Sequence, residues 1–144
     1  MVVSTKGRYA LRVMVDLAEH QKDGCIPLKE IAQRQGISEK YLEAILKVLV
    51  RERILTGLRG KGGGYRLSLP PDQYTVGSIL RLTEGSLAPV ACLTERAPAC
   101  PRAPGCRTLP MWQRLDQVLK DFFDSYTIAD LMAPGQDGGG AAQS

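Results

Sequence analysis

One histidine, His20, occurs in the 144 residues, and no uninterrupted apolar run is long enough to cross a bilayer. Nucleophile motifs and a phosphate-binding loop before a helix are also missing. The glycine cluster Gly60-Lys61-Gly62-Gly63-Gly64 falls on a hairpin pattern, and hydrolase or kinase chemistry is not expected. The first residues, Met1 to Arg8, carry no apolar core of signal-peptide length, so the expected compartment is the cytoplasm, with no membrane partner. Paired short C-x2-C spacings are absent as well, which argues against an ordinary four-ligand structural zinc site.

What is present is an uneven charge. Residues 1–70 hold thirteen Lys/Arg against seven Asp/Glu, whereas residues 71–144 hold six against eight. A basic half on a chain of net charge +4 points to a polyanionic partner. A hydrophobic fraction of 44% is enough for a real core in one compact domain with an appended element.

From Ala10, the residues Val13, Met14, Leu17 and Ala18 recur at helical spacing, with Arg8, Arg12, Asp16 and Glu19 on the polar side. Pro27 suits the first turn of a second helix, Leu28 to Gln35, closed by Gly36. Ser38 is a good N-cap for a third helix with the apolar stripe Leu42, Ile45, Leu46, Leu49 and Val50. Two helices joined by Gly36-Ile37-Ser38 form a helix-turn-helix pattern. The alternating stretches Ile54–Leu58 and Tyr65–Leu69, joined by the glycine-rich tip, add a hairpin wing. The fold class is therefore mostly α, a winged helix-turn-helix with a small β-hairpin wing and a long C-terminal helix.

The expected organisation has four parts. Residues 1–85 form the winged helix-turn-helix, which includes a helix Val76–Glu84. Residues 86–110 form a cysteine-bearing loop whose proline and glycine content makes a long helix there improbable. Residues 111–133 supply a long amphipathic helix carrying Met111, Leu115, Val118, Leu119, Phe122 and Tyr126, and a short final helix capped by Thr127. With little core left to cover that apolar face, a second copy of the chain is the expected partner. The tail, 134–144, is expected to be disordered.

A reading helix must show polar side chains to the major groove, where base edges differ in donors and acceptors. Ser38, Lys40, Tyr41, Glu43 and Lys47 are so placed, and Arg59 and Lys61 on the wing suit phosphates or the minor groove of double-stranded DNA. Each alone reads as an ordinary solvated residue; the turn, the wing and the basic half together favour DNA. Glu43 suits a cytosine amino group or, equally, an i,i+4 pair with Lys47.

Cys92, Cys100 and Cys106 are spaced C-x7-C-x5-C in the flexible loop. Thiolates are preferred ligands of zinc and iron–sulfur centres, and three ligands with one position open suit a cluster better than closed structural zinc. Free thiols, or a disulfide with one cysteine left over, are the alternatives. Cys25 stands apart and reads as a small buried hydrophobe.

The segments Ser4-Thr5-Lys6-Gly7-Arg8-Tyr9-Ala10, Ile31-Ala32 through Gly36-Ile37-Ser38 with Tyr41-Leu42-Glu43, and Arg59-Gly60 followed by Gly62-Gly63-Gly64-Tyr65 together resemble the Rrf-two family of bacterial winged-helix regulators, in particular its IscR-like branch. The resemblance runs to about Met132. It implies a homodimer joined through the long C-terminal helix, palindromic operators, and an iron–sulfur cluster, 2Fe-2S rather than 4Fe-4S, on Cys92, Cys100 and Cys106. It also implies control of iron–sulfur cluster biogenesis genes. The histidine commonly found three positions after the third cysteine is replaced by Leu109, and an acidic residue used by some relatives near the N-terminus is replaced by Arg8. Glu43, Glu95, His20 or an exogenous molecule remain open as the fourth ligand. Some relatives answer instead to thiol chemistry or to a partner enzyme of cysteine synthesis.

Overall fold

Ser4 begins the first helix rather than Ala10: its hydroxyl accepts the amide of Gly7 at 3.0 Å and caps α1 (Thr5–His20). A computed structural model describes residues 3–21, 24–95 and 97–134. After α1 come α2 (Leu28–Gln35), α3 (Glu39–Arg51), the antiparallel strands β1 (Leu55–Leu58) and β2 (Gly64–Leu67), α4 (Val76–Glu84), α5 (Leu109–Ser125) and α6 (Ile128–Leu131). This is the mostly α winged helix-turn-helix with a two-stranded wing and a long C-terminal helix.

Local chemistry sets the helix-turn-helix. Gly36, in the left-handed conformation at φ 65°, ends α2, and the hydroxyl of Ser38 accepts the amide of Tyr41 at 3.1 Å to start α3 two residues later. The buried faces of these helices meet α1 in one core containing Val13, Met14, Leu17, Ile31, Leu42 and Leu46. Burying each such side chain contributes about 1.5–3 kcal/mol.

Asp16 departs from the sequence expectation. It is not on a solvated face but is 2% exposed. Arg34 donates to its two oxygens at 2.9 and 2.8 Å, and the Gln35 amide donates at 2.8 Å. A carboxylate leaves water only when paired, and Arg34, four residues after Glu30, supplies the pair from α2.

The strands are shorter than the alternating pattern suggested and pair Leu55 with Leu67 through Leu58 with Gly64. Ile26 exchanges both backbone hydrogen bonds with Tyr65, each 2.8 Å, and so stitches the base of the wing to the chain before α2. Gly64 lies at φ 145°, and a Cβ there would collide with the Ile26 carbonyl.

Helix α4 packs on α1, with Ser4 donating to the Glu84 carboxylate at 2.5 Å. A Cβ at Gly7 would strike that carboxylate, so a larger residue there would displace the Glu84 side chain from Ser4. Helix α5 leans on α4, with half-buried Phe123 packed against the cluster of Val76, Leu80 and Leu87. Its C-terminal end is tied back: the Val76 amide donates to the Tyr126 carbonyl at 2.8 Å, and the Ile128 amide to that of Tyr74 at 2.9 Å. A capping box between Thr127 and Asp130 then starts α6, whose Ile128 joins the main core.

The other face of α5 is uncovered. Met111, Leu115, Val118, Phe122 and Tyr126, spaced by three or four residues, are 54, 37, 53, 54 and 42% exposed. Of the expected disordered tail only Pro134 is described, and it is exposed; the remainder lies outside the described residues.

Candidate nucleic-acid interface and cysteine loop

Lys40, Glu43, Ala44 and Lys47 follow i, i+3, i+4 and i+7 along α3, so they form one exposed stripe. That stripe faces the wing across an open cleft of about 700 Å³, closed on the far side by Gly57, Leu58, Arg59 and the ring of Tyr65. The cleft brings together four of the residues expected to meet DNA: Lys40, Glu43, Lys47 and Arg59. Among the described residues Glu43 makes no ion pair with Lys47, and none of Lys40, Lys47, Arg59 and Lys61 is paired with a carboxylate. Their charge is therefore available to a phosphate backbone. Lys61 is exposed on the hairpin tip between Gly60 and Gly62, at φ 86° and 77°.

Three residues of the expected set, Lys61 on the tip, Ser38 and Tyr41, sit apart from the cleft lining. Ser38 is exposed but spends its hydroxyl on the helix cap. Tyr41, 36% exposed, stacks edge-on against Tyr9 with centroids 5.7 Å apart, and Arg12 lies 5.0 Å over the Tyr9 ring. The position of Tyr41 thus depends on α1, which periodicity within α3 did not reveal. Conversely, the sequence reading gave no role to Ala44 or Leu58. The i, i+4 relation of Ala44 to Lys40 was the available signal.

The loop between α4 and α5 contains two short 3-10 turns, Ala91–Leu93 and Ala103–Gly105. Cys92 is exposed in the first; Cys100 and Cys106 are half-buried around the second. All three thiols are free. They do not converge here: among the described residues no group of three His, Cys, Asp or Glu side chains is close enough to hold a metal ion. The physical reason lies in the loop's bonding. Its described backbone hydrogen bonds from Leu93 to Cys106 span three residues each, for example Ala103 to the Cys100 carbonyl at 3.0 Å and Cys106 to that of Ala103 at 3.3 Å. Such turns set local shape and leave distant thiols unconstrained.

The donor chemistry nevertheless fits a soft metal centre. Cys106 precedes α5, with its sulfur 3.5 Å from the Thr108 hydroxyl. That hydroxyl, then the amides of Thr108 and Leu109 and the charge of Arg102, hold the Cys106 thiol below its ordinary range. Of the side chains left open as a fourth ligand, Glu43 is in the DNA-facing cleft and His20 contacts the Asp16 carbonyl at 2.8 Å. Glu95 is on the cysteine loop itself, where its charge adds to the raised pKa of Arg81 that Asp124 mainly causes. Leu109 offers no donor. Cys25 is half-buried, less enclosed than a core hydrophobe.

A capped reading helix, a wing and an unpaired cationic cleft define a winged-helix transcription regulator that binds DNA. The family described as Rrf2, iron-dependent transcriptional regulator, matches residues 3–134, and the chain belongs to it. It is similar to the HTH-type transcriptional regulator IscR of Aliivibrio salmonicida, 36% identical over 132 residues, covering 92% of this chain and 77% of that protein. The solved structure of CymR, the global cysteine regulator of B. subtilis, superposes with a TM-score of 0.74 at 37% identity, over 91% of this chain and 95% of the other. T. potens IscR superposes with a TM-score of 0.73 at 32% identity, over 99% and 94%. The family consists of regulators rather than catalysts. No described helix is long and apolar enough to cross a membrane.

Proposed function

We propose that the chain is a cytoplasmic, homodimeric, IscR-like regulator that binds palindromic operators and matches its operator choice to iron–sulfur status, controlling genes of cluster biogenesis. The observation that carries the reading is the place of Cys106. Its thiol, held below its ordinary range by the Thr108 hydroxyl 3.5 Å away, stands at the foot of α5, between the DNA-reading half and the exposed apolar stripe. Cys92, Cys100 and Cys106 would hold the cluster, 2Fe-2S in the simplest case. When bound, it supplies a centre whose presence depends on iron and oxidant supply and whose thiolate bonds draw the loop together.

The chain's own residues do the rest. Lys40, Lys47, Arg59 and Lys61 neutralise phosphates, Tyr41 and Glu43 present polar groups near the start of the reading helix, and the Ser38 cap fixes where that helix begins, its hydroxyl proton remaining free to donate. The α5 stripe from Met111 to Tyr126 pairs with the same stripe of a second copy. Because the loop enters α5 directly, a change in its order shifts α5 against α4 and thus the separation of two reading helices. A coupling of about 1–3 kcal/mol changes operator occupancy roughly 5–150-fold.

The test is anaerobic purification with iron and sulfide analysis, followed by operator titration of loaded and cluster-free protein. Coloured protein with stoichiometric iron and sulfide and unequal affinities is expected. Equal affinities at every operator would remove the sensing role and leave DNA binding standing.

A second reading, a cluster-free regulator of cysteine or sulfur metabolism, draws on the separated thiols and the likeness to CymR. Colourless protein whose operator affinity responds to thiol oxidation or to a cysteine-synthesis enzyme supports it.

A further inference from the structure

The cleft between α3 and the wing is not lined by charge alone. Beside Lys40, Lys47 and Arg59 it is lined by Ala44 on α3 and Leu58 at the end of β1, both exposed, and by the half-buried Val50 and Tyr65. Leu58 is 56% exposed, although the other two leucines of the hairpin, Leu55 and Leu67, are 2 and 4% exposed. Alternation explains why one face of a strand is solvated, but not why the solvated position bordering a cationic cleft is leucine. Ala44 sits one turn beyond Lys40 and one residue after Glu43, so its methyl opens into the same cleft as the carboxylate.

A cationic rim selects a polyanion, and an apolar patch within it must meet an apolar group of that polyanion. In the major groove of B-form DNA the alkyl group on offer is the 5-methyl of thymine; other readable features there are donors and acceptors. We propose that Ala44 and Leu58 form the two sides of a slot for a thymine methyl, on a base pair adjoining the one Glu43 reads. The slot rests on the operator-binding reading and adds a specificity element to it. Glu43 rejects bases lacking an amino donor, and the slot rewards the one base that brings a methyl. Arg59, next in sequence to Leu58, fixes the wing on the phosphates and holds this side of the slot in place.

The experiment uses the full chain and the duplex it enriches from a randomised DNA pool. Each thymine of the enriched half-site is replaced in turn by uracil, which removes only the methyl. One position per half-site is expected to weaken binding about fourfold, the value of one buried methyl. Leu58→Ala is expected to bind the thymine duplex less tightly and to lose most of its discrimination against uracil at that position. Its slope of log affinity against log salt should stay unchanged, because no phosphate contact is removed. Indifference of the unaltered chain to uracil at every position overturns the slot, whatever the variant does. So does a full uracil penalty in a folded Leu58→Ala protein. Failure to enrich any duplex removes operator binding itself, a distinct outcome.

Discussion

Arg34 of α2 closes on the buried Asp16 of α1 through two nitrogens, Nε to Oδ2 at 2.9 Å and Nη2 to Oδ1 at 2.8 Å. The side chain of Asp16 is fully enclosed while that of Arg34 is 31% exposed, so the two partners are not equivalent. Removing the arginine strands a carboxylate that water cannot reach. Arg34→Met is expected to cost about 3 kcal/mol and Asp16→Asn distinctly less, since asparagine still accepts from Gln35. Urea unfolding measures both. Equal losses would show that stranding the buried carboxylate costs no more than removing its charge at this junction.

A second ion pair has a pH signature. Arg81 and Asp124 bond at two points, 2.9 and 3.0 Å, and Arg81 keeps the Asp124 carboxyl below its usual range, with Thr75 assisting. A depressed folded-state pKa means stabilisation that is fully present above the unfolded value, near about 3.9, and lost as pH falls through the folded one. Asp124→Asn should lower Tm by about 2–4 °C at pH 7, a difference that shrinks as the pH falls through the folded-state pKa. The modest size reflects side chains 33 and 42% exposed and therefore screened. A difference that persists unchanged in acid would assign the loss to packing of the Asp124 side chain, which lies close over Gly77 of α4.

Gly64→Ala tests the seam under the wing. The new Cβ would be built at φ 145° and against the Ile26 carbonyl, so the wing base must separate from the chain before α2. A loss of about 2–3 kcal/mol is expected in thermal unfolding, together with weaker operator binding. Wild-type behaviour in both would mean the bridge is dispensable.

Much of this architecture was legible because it rests on short-range chemistry. Ser38 caps, Gly36 turns left-handed, and the α3 stripe repeats at the helical period, all within a few residues of sequence. Asp16 was misplaced because its partner lies on another helix, and no period within α1 announces Arg34. The contact of Tyr41 with Tyr9 was invisible for the same reason, being a property of how α1 packs beside α3. The cysteine loop was the hardest. Spacing says that three thiols can meet, but turns spanning three residues do not say whether they do.

The α5 stripe gives the final expectation. Val118 is 53% exposed at the middle of five apolar residues. Val118→Glu is expected to halve the mass seen by sedimentation velocity while leaving far-UV circular dichroism intact, because the stripe contributes nothing to the core of one chain. An unaltered sedimentation coefficient would exclude α5 as the contact between copies.

The exchange of hydrogen bonds between Ile26 and Tyr65 has a mechanical corollary. With its root sewn to the segment that launches α2, the hairpin is anchored to the helix-turn-helix at a fixed place rather than hanging from its two strands alone. In the dimer proposed above, adaptation to operators of different spacing would then fall to the joint between the two copies.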